Sequence, residues 1–126
     1  MATVLIAADG GWLRDQVRTA LAGPDQTVLE VTRGQDVRDA VAIQEPDLVV
    51  LDLQIDNMGG IATALDLHLE ASAGRLPDVP IVLLLDRECD RFLAKRAAVD
   101  AVVVKPLDPG VLRRTVKRVL ADQVTA

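Results

Sequence analysis

Residues 45–52 read EPDLVVLD. Four apolar residues, 48–51, follow Pro46 and Asp47, and one acid, Asp52, closes the run. The apolar stretch does not alternate with polar residues. That pattern fits a strand buried on both faces, as in a parallel sheet covered by helices. An acid closing such a strand lies at the carboxyl edge of the sheet, where open α/β folds build their sites.

The same pattern recurs on both sides of this stretch. Short Val/Ile/Leu-rich runs occupy 4–7, 28–31, 81–85 and 101–104. Glu30 interrupts 27–32, which marks that segment as an edge strand. Helical spacing fills the gaps: Leu13, Val17 and Leu21; Val37, Ala40 and Val41; Ile61, Ala64, Leu65 and Leu69; Phe92, Leu93 and Ala97; Leu112, Val116, Val119 and Leu120. Gly23-Pro24 stops the first helix. Asp108-Pro109 starts the last, because Asp caps free N–H groups and Pro at the first helical position loses no bond. The order is βα five times, which predicts an α/β three-layer sandwich around a parallel sheet.

The 126 residues fit a single domain, 1–126, with no output domain expected after the last helix. Half the residues are apolar, so the chain can build a core. Trp12 and Phe92 are its only aromatics, which leaves no stacking platform for single-stranded nucleic acid. A net charge of -5 argues against direct nucleic-acid binding. Cys89 is the only cysteine and His68 the only histidine, so neither a disulfide nor a Cys/His metal cluster is expected. His68 is expected on the solvent side of its helix. No signal peptide is visible, and the longest strongly apolar run, 81–85, is far too short to span a membrane. A cytoplasmic protein is the expectation.

The chemistry gathers at the strand ends. Asp9 ends the first strand, Asp52 the third and Lys105 the fifth. If strands one and three are neighbours, as in a 2-1-3-4-5 order, the two carboxylates converge. Close carboxylates repel, and a hard divalent cation relieves them. Mg²⁺ suits few carboxylates, several waters and a phosphate oxygen. A nucleophilic carboxylate, a metal and a lysine together suggest phosphoryl transfer to an aspartate.

Four stretches in this order and spacing, VLIAAD (4–9), PDLVVLDLQIDNMGG (46–60), VPIVLLLD (79–86) and VVVKPLD (102–108), carry a resemblance to the receiver domain of two-component response regulators. The resemblance covers nearly the whole chain and implies a flavodoxin-like fold. It implies that Asp52 is the phosphoacceptor, that Asp9 and the Gln54 backbone carbonyl help to hold Mg²⁺, and that Lys105 contacts the phosphoryl group. It also implies a cis Lys105-Pro106 peptide. A histidine kinase or a small phosphodonor would supply the phosphoryl group.

The departures from the family pattern are specific. Ala8 stands where a second acid is usual. Leu85 replaces the usual Thr or Ser, and Val102 the usual aromatic. Asp56 replaces the usual Pro. Loss of one acid should weaken Mg²⁺. With neither hydroxyl nor ring, the family's coupled switch cannot operate through Leu85 and Val102. Asp86 stands where a small residue is usual. Its carboxylate either faces the site, adding metal affinity or repelling the phosphoryl group, or it faces solvent or caps the next helix.

The last helix carries Arg113, Arg114, Lys117 and Arg118 opposite its apolar stripe. This is either a solvated face or a surface for an acidic protein, since the family docks partners on the fourth helix, fifth strand and fifth helix. The expected protein is a stand-alone atypical receiver, monomeric or weakly dimeric, signalling through an unidentified protein partner. The alternative is an interaction module that works without phosphorylation. A haloacid-dehalogenase-type phosphatase fits poorly, because it needs an acid where Gln54 stands and a longer chain.

Overall fold

The computed structural model describes residues 2–55 and 59–125. The Asp56 departure lies outside the described residues. The elements alternate as expected: β1 (Ala2–Ala7), α1 (Gly11–Leu21), β2 (Gln26–Val31), α2 (Val37–Gln44), β3 (Leu48–Asp52), α3 (Gly60–Ser72), β4 (Ile81–Leu85), α4 (Arg91–Arg96), β5 (Ala101–Val104) and α5 (Pro109–Thr125). Short 3-10 turns, Gly34–Asp36 and Glu88–Asp90, lead into α2 and α4. The five strands form one parallel sheet of order β2-β1-β3-β4-β5, which is the flavodoxin-like arrangement. Strands β1 and β3 are therefore neighbours, with Ala7 level with Leu51.

Strand alternation divides the core in two. Val4, Ile6, Leu48, Val50, Val82, Leu84 and Val103 pack with Leu13, Val17, Leu112, Val116 and Val119 of α1 and α5. Leu5, Ala7, Val49, Leu51, Leu83 and Leu85 pack with Val37, Val41, Ala64, Leu67, Ala94 and Ala97 of α2, α3 and α4. Each inner strand is apolar on both faces because helices cover both faces. The edge strand β2 is only half-buried, consistent with Glu30. There Glu30 holds Arg18 of α1 at 2.5 Å and Arg14 at 3.3 Å.

The caps follow local chemistry. Asp108 Oδ1 accepts from the Gly110 N–H at 2.8 Å and the Val111 N–H at 3.1 Å, which starts α5. At Gly60 a Cβ would run into the Asp52 carbonyl oxygen and lie 3.0 Å from the Asp52 carbonyl carbon and Leu53 Cα. Only a residue without a side chain lets α3 start this close to the end of β3.

Three sequence expectations need correction. On α3, Leu65 and Leu69 face outward, 45% and 68% exposed, while Gly60, Thr63, Ala64, Leu67 and Glu70 face the core. Glu70 is tolerated there because Arg75 Nε donates to its Oε2 at 2.7 Å and Arg38 approaches at 3.6 Å. On α4, Phe92 is 58% exposed and Ala94 and Ala97 supply the contact. His68 is half-buried rather than free, with Nε2 3.1 Å from the Ala98 carbonyl oxygen, tying α3 to the turn after α4. Among the described residues no helix is long and apolar enough to cross a membrane.

Candidate acceptor site at the strand ends

Three backbone bonds extend the sheet past its strands and fix the residues that follow them. Leu53 N–H donates to Leu84 C=O at 3.0 Å, Lys105 N–H to Leu85 C=O at 2.8 Å, and Ala8 N–H to Val31 C=O at 3.2 Å. Asp86 and Lys105 thus stand level just past β4 and β5, and Asp52, level with Leu84, stands two residues short of Asp86 on the same face. By alternation Asp52 follows Leu48 and Val50, Asp86 follows Val82 and Leu84, and Lys105 follows Val103, all on the α1/α5 side.

The side chains meet there. Lys105 Nζ donates to Asp52 Oδ1 at 2.6 Å and to Asp86 Oδ1 at 2.8 Å. The Asp52 side chain is 5% exposed, that of Lys105 19% and that of Asp86 32%. The ammonium thus bridges a buried carboxylate and a rim carboxylate. Burial is the largest single influence on Lys105 and pulls its pKa down. The hydrogen bonds to Asp52 and then to Asp86, with their charges, together outweigh burial and hold the pKa above its ordinary value. The Lys105-Pro106 peptide is cis, as expected.

Asp86 does not cap the following helix. Buried Asp90 closes the short 3-10 turn before α4, its Oδ2 accepting from the Arg87 N–H at 3.2 Å, and no side-chain bond caps α4 itself. Asp86 faces the site, one of the positions its sequence allows, and its bond to Lys105 is a feature the sequence does not show. The two residues are nineteen apart, and only the β4–β5 pairing brings them together.

Asp9 is exposed at the end of β1, beside a fully buried Ala8. Arg14 Nη1 donates to the Ala8 and Asp9 carbonyl oxygens, each at 2.8 Å, and so fixes that turn. Gln54 lies in the turn just after β3. Among the described residues, no three acidic, His or Cys side chains are gathered as a metal site. Asp52 and Asp86 share the Lys105 ammonium while Asp9 is exposed, and the three acids are not gathered as one set. What remains is a set of hard oxygen donors on adjacent strands: the Asp9 and Asp52 carboxylates and the Gln54 carbonyl. That chemistry fits Mg²⁺, which takes one or two carboxylates and keeps several waters.

Leu85 is fully buried and packs in the α2/α3/α4 layer with Ala94 and Ala97, where half-buried Val102 joins it. Both positions are filled by aliphatic packing. On α5, Arg113 is anchored: its Nε donates to the Ala20 carbonyl oxygen at 3.0 Å, across to α1. Arg114, Lys117 and Arg118 are exposed.

A parallel sheet in this order, with an Asp–Lys pair at its carboxyl edge, is the architecture of a flavodoxin-like domain with a charged site at its strand ends. The chain belongs to the response regulator receiver domain family, whose model matches residues 4–117. It is 28% identical over 121 residues to protein PilH of Pseudomonas aeruginosa, covering 96% of this chain and 99% of that protein. It is 33% identical over 123 residues to the uncharacterized response regulatory protein Rv3143 of Mycobacterium tuberculosis, covering 93% and 90%. The fold superposes on the chemotaxis response regulator CheY4 of Vibrio cholerae with a TM-score of 0.82 at 21% identity, covering 94% of this chain and 98% of that one. The chain spans about half the length of several other curated relatives. Receiver domains are signalling modules rather than classical enzymes. They interact with histidine kinases or phosphodonors and generally bind Mg²⁺.

Proposed function

We propose that this chain is an atypical receiver that accepts a phosphoryl group on Asp52 and signals through protein contacts. The observation that carries this reading is the 2.6 Å bond between Lys105 Nζ and Asp52 Oδ1 at the buried sheet edge. In the transfer, an Asp52 carboxylate oxygen attacks phosphorus of an acyl phosphate or a kinase phosphohistidine. The new O–P bond forms as the P–O or P–N bond to the donor breaks, and the carboxylate or imidazole departs with the bonding pair. Lys105 holds its proton throughout and meets the incoming charge as an ammonium. Mg²⁺, when bound by Asp9, Asp52 and the Gln54 carbonyl, supplies positive charge against the phosphoryl oxygens.

The product carries roughly -1.5 to -2 charge at pH 7 where a carboxylate carried one. A hydroxyl to follow it is missing at Leu85 and a ring is missing at Val102, so the readout takes another route. The exposed face of α4, β5 and α5, with Arg114, Lys117 and Arg118, is the surface for an acidic protein partner. A cytoplasmic location fits this role.

The test is incubation with acetyl phosphate, with and without Mg²⁺, followed by intact-mass and phosphate-affinity gel analysis. One Mg²⁺-dependent adduct that disappears in Asp52→Asn is expected. Its absence from the native chain sinks the reading. The second reading, docking without phosphorylation, is favoured by the aliphatic packing at Leu85 and Val102. It predicts no adduct and a partner affinity that Asp52→Ala leaves unchanged.

A further inference from the structure

We infer that Asp86 is a positioning residue that occupies Lys105 in place of the phosphoryl group, and that its displacement relays phosphorylation to α4. The inference rests on the reading of Asp52 as the acceptor.

Lys105 has three N–H donors, and two of them point at the carboxylates of Asp52 and Asp86. A phosphoryl group built on Asp52 needs an ammonium donor on its outer side, where Asp86 now sits. Both groups cannot share that position, because two anions in contact repel. The contest has a clear winner after transfer. The phosphoryl group offers nearly twice the charge of a carboxylate and more acceptor oxygens. Before transfer, the incoming donor must compete with a carboxylate already in place, so Asp86 slows acceptance.

Asp86 is also tied to the head of a turn. The next residue, Arg87, opens a closed turn. Its N–H donates to Asp90 Oδ2 at 3.2 Å, its carbonyl oxygen accepts from the Asp90 N–H at 3.0 Å, and its guanidinium lies 3.5 Å from Asp90 Oδ1. This turn delivers the chain directly into α4 at Arg91. Asp86 has no slack before it on the other side, since Leu85 ends β4 fully buried. Release of its carboxylate from Lys105 therefore frees the head of a rigid turn, and the movement passes to α4 without a hydroxyl or ring. A charge exchange at Lys105 replaces the hydroxyl–aromatic relay that Leu85 and Val102 cannot support.

The test compares the native chain with Asp86→Asn and Asp86→Glu. Asp86 is on the rim, so the neutral amide is tolerated by the fold. Labelling by acetyl phosphate with Mg²⁺ should be about tenfold faster in Asp86→Asn, the size of one charge-assisted hydrogen bond. Asp86→Glu, which restores a carboxylate, should return it towards the native rate. Backbone amide resonances of residues 87–92 should shift in the native chain when beryllofluoride and Mg²⁺ are added. In Asp86→Asn they should lie near the shifted positions beforehand. Equal labelling rates, or unmoved 87–92 resonances in a chain that does label at Asp52, overturn the inference and leave the acceptor reading standing. No label in either the native chain or Asp86→Asn overturns both.

Discussion

Lys105 Nζ lies 2.6 Å from Asp52 Oδ1, joining residues fifty-three apart at the ends of two strands that are not neighbours. β4 stands between them, and Asp86 at its end takes the same ammonium. One cation therefore bridges two carboxylates and leaves the trio with a net negative charge. Replacing Lys105 with Met keeps the length and removes the charge, leaving Asp52 buried and unpaired opposite Asp86. Loss of one partner of a buried ion pair costs about 3–5 kcal/mol, and the partial exposure of Lys105 and Asp86 places this site at or below the low end. Urea unfolding should show a lower midpoint with an unchanged slope. Lys105→Met with Asp52→Asn together should recover part of that loss, because the double variant buries no unpaired charge.

The same pairing sets an alkaline limit. The Lys105 pKa is raised in the folded state above its ordinary 10.5. A raised folded value means that the folded state holds the proton more tightly than the unfolded chain. The pairing's contribution is therefore complete below the unfolded value and is lost as pH rises through the folded one. The thermal midpoint of the native chain should exceed that of Lys105→Met by a constant margin at neutral pH. The margin should shrink above about pH 10. A margin that stays constant through pH 12 or so would show that the ammonium is not what the two carboxylates bind.

Much of this arrangement was legible in the sequence, for physical reasons that also explain what was not. Non-alternating apolar runs have one interpretation in an alternating βα chain, so the five strands and their closing residues could be read directly. The inner face of α3 could not. Leu65 and Leu69 form one apolar line and Ala64 and Leu67 another, about a third of a turn or more away. Hydropathy does not distinguish Leu65 and Leu69 from Leu67, whereas packing buries the line that carries Gly60 and Ala64. Gly60 and Ala64 face the sheet because α3 begins almost in contact with the β3 backbone. The Asp86–Lys105 bond was equally hidden. A rim acid after a strand has several local uses, and only the observed bonds show that Asp90 closes the 3-10 turn before α4 while Asp86 goes to the lysine.

Gly60 gives a direct test of that close approach. A Cβ there collides with the Asp52 carbonyl and with Leu53 Cα, backbone atoms that cannot rotate away. Gly60→Ala should destabilise the fold by about 1–3 kcal/mol, as other overpacking changes do, despite the better helix propensity of Ala. The strain falls on Asp52, the proposed acceptor, so labelling by acetyl phosphate should slow as well. Gly59→Ala is the control, because the nearest atom to its added Cβ is the Leu53 carbonyl oxygen at 3.8 Å. Calorimetry and labelling rates of the two variants should separate clearly.

Ala8 offers the last test, because it is the position where charge is missing. It lies one step beyond the Ala7–Leu51 pair, level with Asp52, and is fully buried. An acid there would sit against the Asp52 carboxylate with Lys105 already shared. Ala8→Asp should therefore lower the thermal midpoint in EDTA. Mg²⁺ should reverse the loss, since a ligand that binds only the folded state stabilises it by mass action. Affinity follows the charge count of the ligands, so Mg²⁺ should bind Ala8→Asp roughly tenfold more tightly than the native chain. Trp12, the chain's single tryptophan, is 68% exposed three residues past Asp9 and supplies the fluorescence signal for the titration. Adding Asp9→Asn to Ala8→Asp should remove most of the gain. Equal Mg²⁺ affinity with and without the added acid would place the cation away from β1 and end the assignment of Asp9 as its ligand.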